Sequence, residues 1–132
     1  KEALEFYGKN LGLTFQIADD TLDYNSDLKL FGKQIGNDFY EGKITLPIIL
    51  LYQKINLEER KTLKNIFDKN SRNQGDLLIV INLIKKYNII NDCYNKANYF
   101  INIASNALNI FEDSKEKEIL KNLTYFSLGR KY

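Results

Sequence analysis

A chain of 132 residues and 15.4 kDa is the size of one ordinary domain, and 44% hydrophobic against 27% charged residues gives it material for a core. The absence of histidine excludes a Ser-His-Asp triad, a Cys-His dyad, imidazole-ligated zinc and a histidine proton shuttle. Nineteen basic and seventeen acidic residues leave a net charge of +2, too small for a global field that recruits nucleic acid or an anionic membrane.

Seven glycines and one proline exclude collagen-like and Pro-rich classes, and the apolar content excludes intrinsic disorder. A single cysteine, Cys93, cannot form an intrachain disulfide, which fits a reducing, cytoplasmic setting. It lies in an amphipathic run and is expected to be a buried small hydrophobe. The longest apolar stretches, 46–52 and 77–81, fall far short of the roughly 20 residues a transmembrane helix needs. No signal-peptide pattern opens the chain. Methionine is missing and helix-forming residues begin at Lys1 itself, so the sequence reads as a fragment.

Over 2–24, Leu4, Tyr7, Leu11, Phe15, Ala18 and Leu22 recur at spacings of three and four, the period of an amphipathic helix. Gly8 and Gly12 within it predict close approach of a neighbouring helix. Periodicity then dissolves over 25–42, where Asn25, Ser26, Gly32, Gly36, Asn37 and Gly42 mark an irregular loop. Structureless connections beyond about 12 residues are uncommon in compact domains and tend to be functional.

Thr45-Leu46-Pro47 starts a second helix running to about residue 54, with proline tolerated in the first turn. Asn56 is placed to cap a third through Asp68. Residues 73–75 separate it from a fourth over 76–87, carrying Leu77, Val80, Ile81 and Ile84. Tyr94, Ala97, Ile101, Ala104 and Leu108 extend the helical period over 91–111, and Ser114 is placed to cap a last helix through Ser127. No strand alternation persists. The predicted fold is all-α, an antiparallel assembly of about six helices.

Asp19, Asp20 and Asp23 fall at the end of the first predicted helix, where spacings of three and four put Asp23 beside both other carboxylates. Their mutual repulsion and the negative end of the helix macrodipole both oppose that clustering. A divalent cation would offset them, and carboxylate oxygens suit Mg²⁺; a solvated acidic helix end is the alternative. The following loop carries Gly32-Lys33, Gly36 and Gly42-Lys43, two ammonium groups on a glycine-punctuated backbone that could fold over a metal-held anion. Singly, each lysine reads as a surface charge; with the aspartates they describe a diphosphate site. Asp23 to Asp27 also match the first five positions of an EF-hand loop. Leu28 then stands where that loop requires glycine, and Gln34 where it requires a bidentate glutamate, so a calcium-sensor reading fails.

The segment GLTFQIADDTLD at 12–23 resembles the second aspartate-rich motif of the trans-polyprenyl diphosphate synthases, particularly the long-chain octaprenyl and decaprenyl enzymes of bacterial quinone biosynthesis. GKQIGNDFYEGKITLP at 32–47 is similar to the glycine and lysine stretch that follows it in that family, and 126–130 is similar to the family's basic end. The resemblance implies that residues 1–132 are the C-terminal part of a single all-α isoprenoid synthase domain whose first aspartate-rich motif lies outside this chain. It implies Mg²⁺ ligation by Asp19, Asp20 and Asp23, directly or through water. Lys33 and Lys43 would contact an allylic diphosphate with Gln16 beside it, and Asp19, Asp20 and Lys33 would be the catalytic set. Asp38 would hold the loop or its lysines, or simply cap the loop. The implied reaction is Mg²⁺-assisted ionisation of the allylic diphosphate followed by attack of isopentenyl diphosphate. A homodimer is the family's assembly. Product length, set in the missing half, is not legible. The alternatives are a non-catalytic subunit of a heteromeric prenyltransferase and an unrelated helical interaction domain.

Overall fold

The structure, a computed structural model, describes residues 1–25 and 35–129. Seven α-helices appear among them: α1 (Glu2–Leu22), α2 (Asn37–Tyr40), α3 (Leu46–Lys54), α4 (Leu57–Asp68), α5 (Gln74–Lys86), α6 (Ile89–Ala107) and α7 (Lys115–Gly129). A 3₁₀ turn, Leu108–Ile110, follows α6, and no strand occurs among the described residues. The all-α expectation is borne out. No described helix is long and apolar enough to cross a membrane.

The chain groups into two compact units, one of Lys1–Asp19 with Tyr94–Tyr132 and one of Asp20–Cys93. In the first, Tyr7, Ala104 and Leu108 form a buried cluster with Leu11, Ala107, Phe111 and Leu120 packed around it. The Tyr7 hydroxyl donates to the Leu120 carbonyl at 2.6 Å, and the Thr14 hydroxyl donates to the carbonyls of Asn10 and Ala97. Ser114 caps α7 by accepting the Lys117 N–H at 3.1 Å, as its sequence position predicts. Gly8 and Gly12 depart from expectation. Both are exposed, and a methyl group at either would meet nothing within 4 Å among the described residues.

In the second unit, α4 and α5 each open with a full capping box. The Asn56 side chain accepts from Glu59 N–H while Glu59 accepts from Asn56 N–H, and Asn73 and Asp76 do the same. That second box starts α5 two residues earlier than the periodicity alone predicts, because its N-cap is Asn73. Pro47 sits in the first turn of α3 as expected. Tyr87 and Asn88 separate α5 from α6, and Asn88 has a φ of 57°; left-handed backbone there ends one helix and admits the next. Leu51, Leu63, Val80, Ile84 and Ile89 are buried at 4% exposure or less. Cys93 is fully buried, as its setting predicts, and burial pushes its thiol up to about 11 despite a weaker opposing hydrogen bond with Thr21.

Candidate active site

The periodicity of the first helix predicts its continuation through Tyr24, but α1 ends at Leu22 and Asp23 begins a turn. The physical reason lies in hydrogen bonding. The Tyr24 and Asn25 N–H groups fall back to the carbonyls of Thr21 and Leu22, while the Asp23 carbonyl accepts the Gly36 N–H at 2.8 Å. Asp23 Oδ1 accepts the Asn37 N–H and Oδ2 the Asp38 N–H, each at 2.9 Å. These amides open α2, whose N-cap Gly36 has no side chain to serve them, so an aspartate from α1's end supplies the cap.

Asp23 is therefore buried at 8% exposure rather than displayed on the helix face beside Asp19 and Asp20. Burial pushes its carboxyl above the ordinary aspartate range, and the Asp38 carboxylate adds to that; the amide hydrogen bonds offset only part of it. Among the described residues no group of three or more acidic or cysteine side chains is gathered to hold a metal ion. The expectation that three aspartates share one helical face is corrected: Asp19 is exposed and Asp20 half-buried on α1, while Asp23 is the turn's internal acceptor. Gln16 is exposed on α1, in the unit that includes Asp19. Lys33 lies outside the described residues.

The expected loop over 25–42 contains α2, a feature that helical periodicity misses because four residues are too few to show it. Phe39 anchors α2, fully buried and edge-on to Phe67 at 5.4 Å between centroids. Gly36, at φ 88°, takes a backbone conformation that strains a side-chain-bearing residue, and an added Cβ would fall 2.8 Å from a Leu77 methyl group, which would have to shift. Beyond α2 the chain turns sharply: Gly42 N–H donates to the Phe39 carbonyl and Lys43 N–H to the Asp38 carbonyl, both at 2.9 Å. The Lys43 ammonium lies 3.1 Å from Glu41 and 3.7 Å from Asp38, and its side chain is 61% exposed. The Glu41 hydrogen bond, followed by the charges of Glu41 and Asp38, raises the Lys43 ammonium above the ordinary lysine value.

Two residues here escaped the sequence reading. Tyr24 is buried to 1% exposure with a hydroxyl that has no hydrogen-bond partner among the described residues; burial first, then Asp23, Asp38 and Asp20, hold it protonated well above the ordinary tyrosine range. Arg72 sends its guanidinium back to the carbonyl end of α2, with Nε 2.9 Å from the Phe39 oxygen. The one sequence signal for Arg72 is a basic residue just past the end of α4, where helix carbonyls lack partners.

A family model described as Polyprenyl synthetase matches residues 1–84. The chain is 29% identical over 132 residues to an octaprenyl diphosphate synthase from Haemophilus influenzae, covering 100% of this chain and 40% of that protein. It is 35% identical over 130 residues to an all-trans-nonaprenyl-diphosphate synthase (geranyl-diphosphate specific) from Rhodobacter capsulatus, covering 98% and 39%. A crystal structure of a polyprenyl synthase from Caulobacter crescentus complexed with calcium and isoprenyl diphosphate superposes with a TM-score of 0.86 at 33% identity, covering 99% of this chain and 40% of that one. The chain thus spans about two fifths of the length of the curated relatives it matches. A family match over residues 1–84 takes in both the aspartate-bearing end of α1 and the Gly42-Lys43 turn, and on it the chain belongs to the polyprenyl synthetase family.

Proposed function

We propose that this chain is the C-terminal part of a single-domain trans-polyprenyl diphosphate synthase that adds isopentenyl diphosphate units to an allylic diphosphate. The observation behind this reading is the clamp between Asp23 and the start of α2, which ties the Gly42-Lys43 turn to the aspartate-bearing end of α1. Two hydrogen bonds suffice for the connection: Asp38 N–H reaches the Asp23 carboxylate, and Lys43 N–H reaches the Asp38 carbonyl. Carboxylates at one side and an ammonium at the other are the two charge types that hold a metal-bound diphosphate.

In this reading Asp19 and Asp20 hold Mg²⁺, with Asp23 contributing directly or through water from the lone pairs its amide bonds leave open. The donor set fits, since carboxylate oxygens are the hard ligands Mg²⁺ takes. When bound, the metal supplies Lewis-acid stabilisation of the leaving diphosphate. Lys33 and Lys43 bind the allylic diphosphate and neutralise its developing charge, with Gln16 beside it. Asp19, Asp20 and Lys33 form the catalytic set. Asp38 holds the turn through its backbone and faces Lys43 through its carboxylate. The product is a long-chain all-trans polyprenyl diphosphate for a quinone side chain, in keeping with the octaprenyl and nonaprenyl synthases among the relatives. The full-length protein acts as a cytoplasmic homodimer.

Incubation of the full-length protein with labelled isopentenyl diphosphate, an allylic primer and Mg²⁺ tests the reading. Extension is expected, with loss on chelation and in Asp20→Ala, and product length read by chromatography. Residues 1–132 alone are expected to give no extension, since metal placement from one side does not make catalysis effective. No extension by the folded full-length protein overturns the reading.

A further inference from the structure

We propose that Arg72 is a positioning residue for the Lys43 ammonium, a claim that rests on the reading of Lys43 as a diphosphate ligand. The guanidinium joins the carbonyl ends of two helices. Toward α2, Nε lies 2.9 Å from the Phe39 oxygen and Nη2 3.5 Å from that of Tyr40. Toward α4, Nη1 lies 2.8 Å from the Lys69 oxygen, 3.2 Å from that of Phe67 and 3.4 Å from that of Ile66. Terminal carbonyls carry the negative end of each helix dipole and have no partner within the helix, so a planar cation with five N–H groups serves both ends at once. The Phe67 ring adds a cation–π face 5.9 Å from Cζ.

Gly42 completes the arrangement, because a Cβ built there would fall 2.8 Å from Arg72 Nη2 and 3.2 Å from Cζ. The glycine Cα therefore rests against the guanidinium, and its φ of 76° is one that side-chain-bearing residues rarely adopt. In ordinary cases a flexible arginine yields to such a methyl group. Here yielding would forfeit hydrogen bonds to the carbonyls of both helices. The Gly42-Lys43 pair thus has a physical basis: glycine seats the turn on Arg72, and the next residue projects the ammonium. With its N–H groups directed at main-chain oxygens, Arg72 acts through the turn rather than on the diphosphate itself.

The test uses the full-length synthase, with steady-state kinetics of Lys43→Ala, Arg72→Lys, Gly42→Ala and the Lys43→Ala/Arg72→Lys double variant. Lysine keeps the charge but not the planar fork. Lys43→Ala is expected to raise KM for the allylic diphosphate about tenfold, the loss of one charge-assisted hydrogen bond. Arg72→Lys should raise the same KM about fivefold, leave KM for isopentenyl diphosphate unchanged, and add nothing in the Lys43→Ala background. A purely structural role would instead lower the active fraction, and with it kcat, at unchanged KM. Multiplying effects in the double variant would show that Arg72 acts independently of Lys43 and overturn the proposal. An unchanged KM in Arg72→Lys beside a raised KM in Lys43→Ala overturns it while leaving Lys43 as a ligand; an unchanged KM in Lys43→Ala overturns both. Should Arg72→Lys not fold, Gly42→Ala presses the same contact from the other side and is read the same way, and failure of both to fold assigns Arg72 to the fold and overturns the proposal.

Discussion

Asp23 and Asp38 are joined by a single 2.9 Å hydrogen bond, from the Asp38 main-chain N–H to Asp23 Oδ2, that closes a span of 15 residues. Its companion from Asn37 makes the contact two-pronged, so that the carboxylate caps a four-residue helix too short to hold itself together. The first residues past α1 and the first residues of α2 are thereby one local unit.

Asp23→Asn keeps one acceptor but turns an amide NH₂ toward a main-chain N–H. The loss of one hydrogen bond and the stranding of a buried donor are expected to cost about 2 kcal/mol. Urea unfolding of the full-length protein measures this, and Asp23→Ala should cost more. Equal stability of all three proteins would show that the clamp contributes nothing to the fold.

Lys33→Ala and Lys43→Ala should weaken use of the allylic diphosphate while leaving thermal stability nearly unchanged. For Lys43 the reason is visible, since its pair with Glu41 is exposed on both sides and screened by solvent. Steady-state kinetics beside a thermal melt separates the two effects. Wild-type kinetics in both variants would rule out a diphosphate cradle.

Glu59 sets an acid limit on the second unit. The Lys86 ammonium at 2.8 Å, the Tyr87 hydroxyl and the Asn56 N–H bind its carboxylate and hold it down to about 2, below an ordinary value of 4.5. Because the folded value lies below the unfolded one, the stabilisation is fully present above the unfolded value. It is lost as pH falls from there toward the folded one. Asp76, held down first by Lys69 and then by the Asn73 N–H, adds in the same direction. Urea midpoints measured from about pH 6 down to about pH 3 should fall, and Glu59→Gln should flatten that fall. A parallel fall in wild type and variant would remove Glu59 as a cause.

Cys93 should resist thiol reagents at neutral pH. Full burial and a thiol pushed up to about 11 leave little thiolate and no access. Ellman's reagent is expected to react with native protein only as fast as the fold opens, and promptly in urea. Fast native labelling would contradict the burial.

The sequence by itself determined the helices and the residue types of the site. Periods of three and four in 2–22, 76–86 and 91–107 reflect one buried face per helix, and such a pattern is written in local spacing. Caps were legible for the same reason: Asn56 and Ser114 act on amides three residues away. The aspartate and glycine-lysine segments were also legible, since both are contiguous motifs.

Only the tertiary structure decided what those residues do to one another. Periodicity carried α1 past Leu22, because the competing bonds of Asp23 come from amides 14 and 15 residues away. Gly8 and Gly12 show the reverse failure: sequence gives composition but not the presence of a neighbour, and no atom among the described residues comes within 4 Å of a Cβ built at either. Arg72 lies 33 residues from Phe39, and nothing near it in the chain announces that contact. Local spacing records which groups a residue can reach along its own helix, whereas a carboxylate or guanidinium meeting amides and carbonyls from a distant segment is set by packing, which no short window of sequence contains.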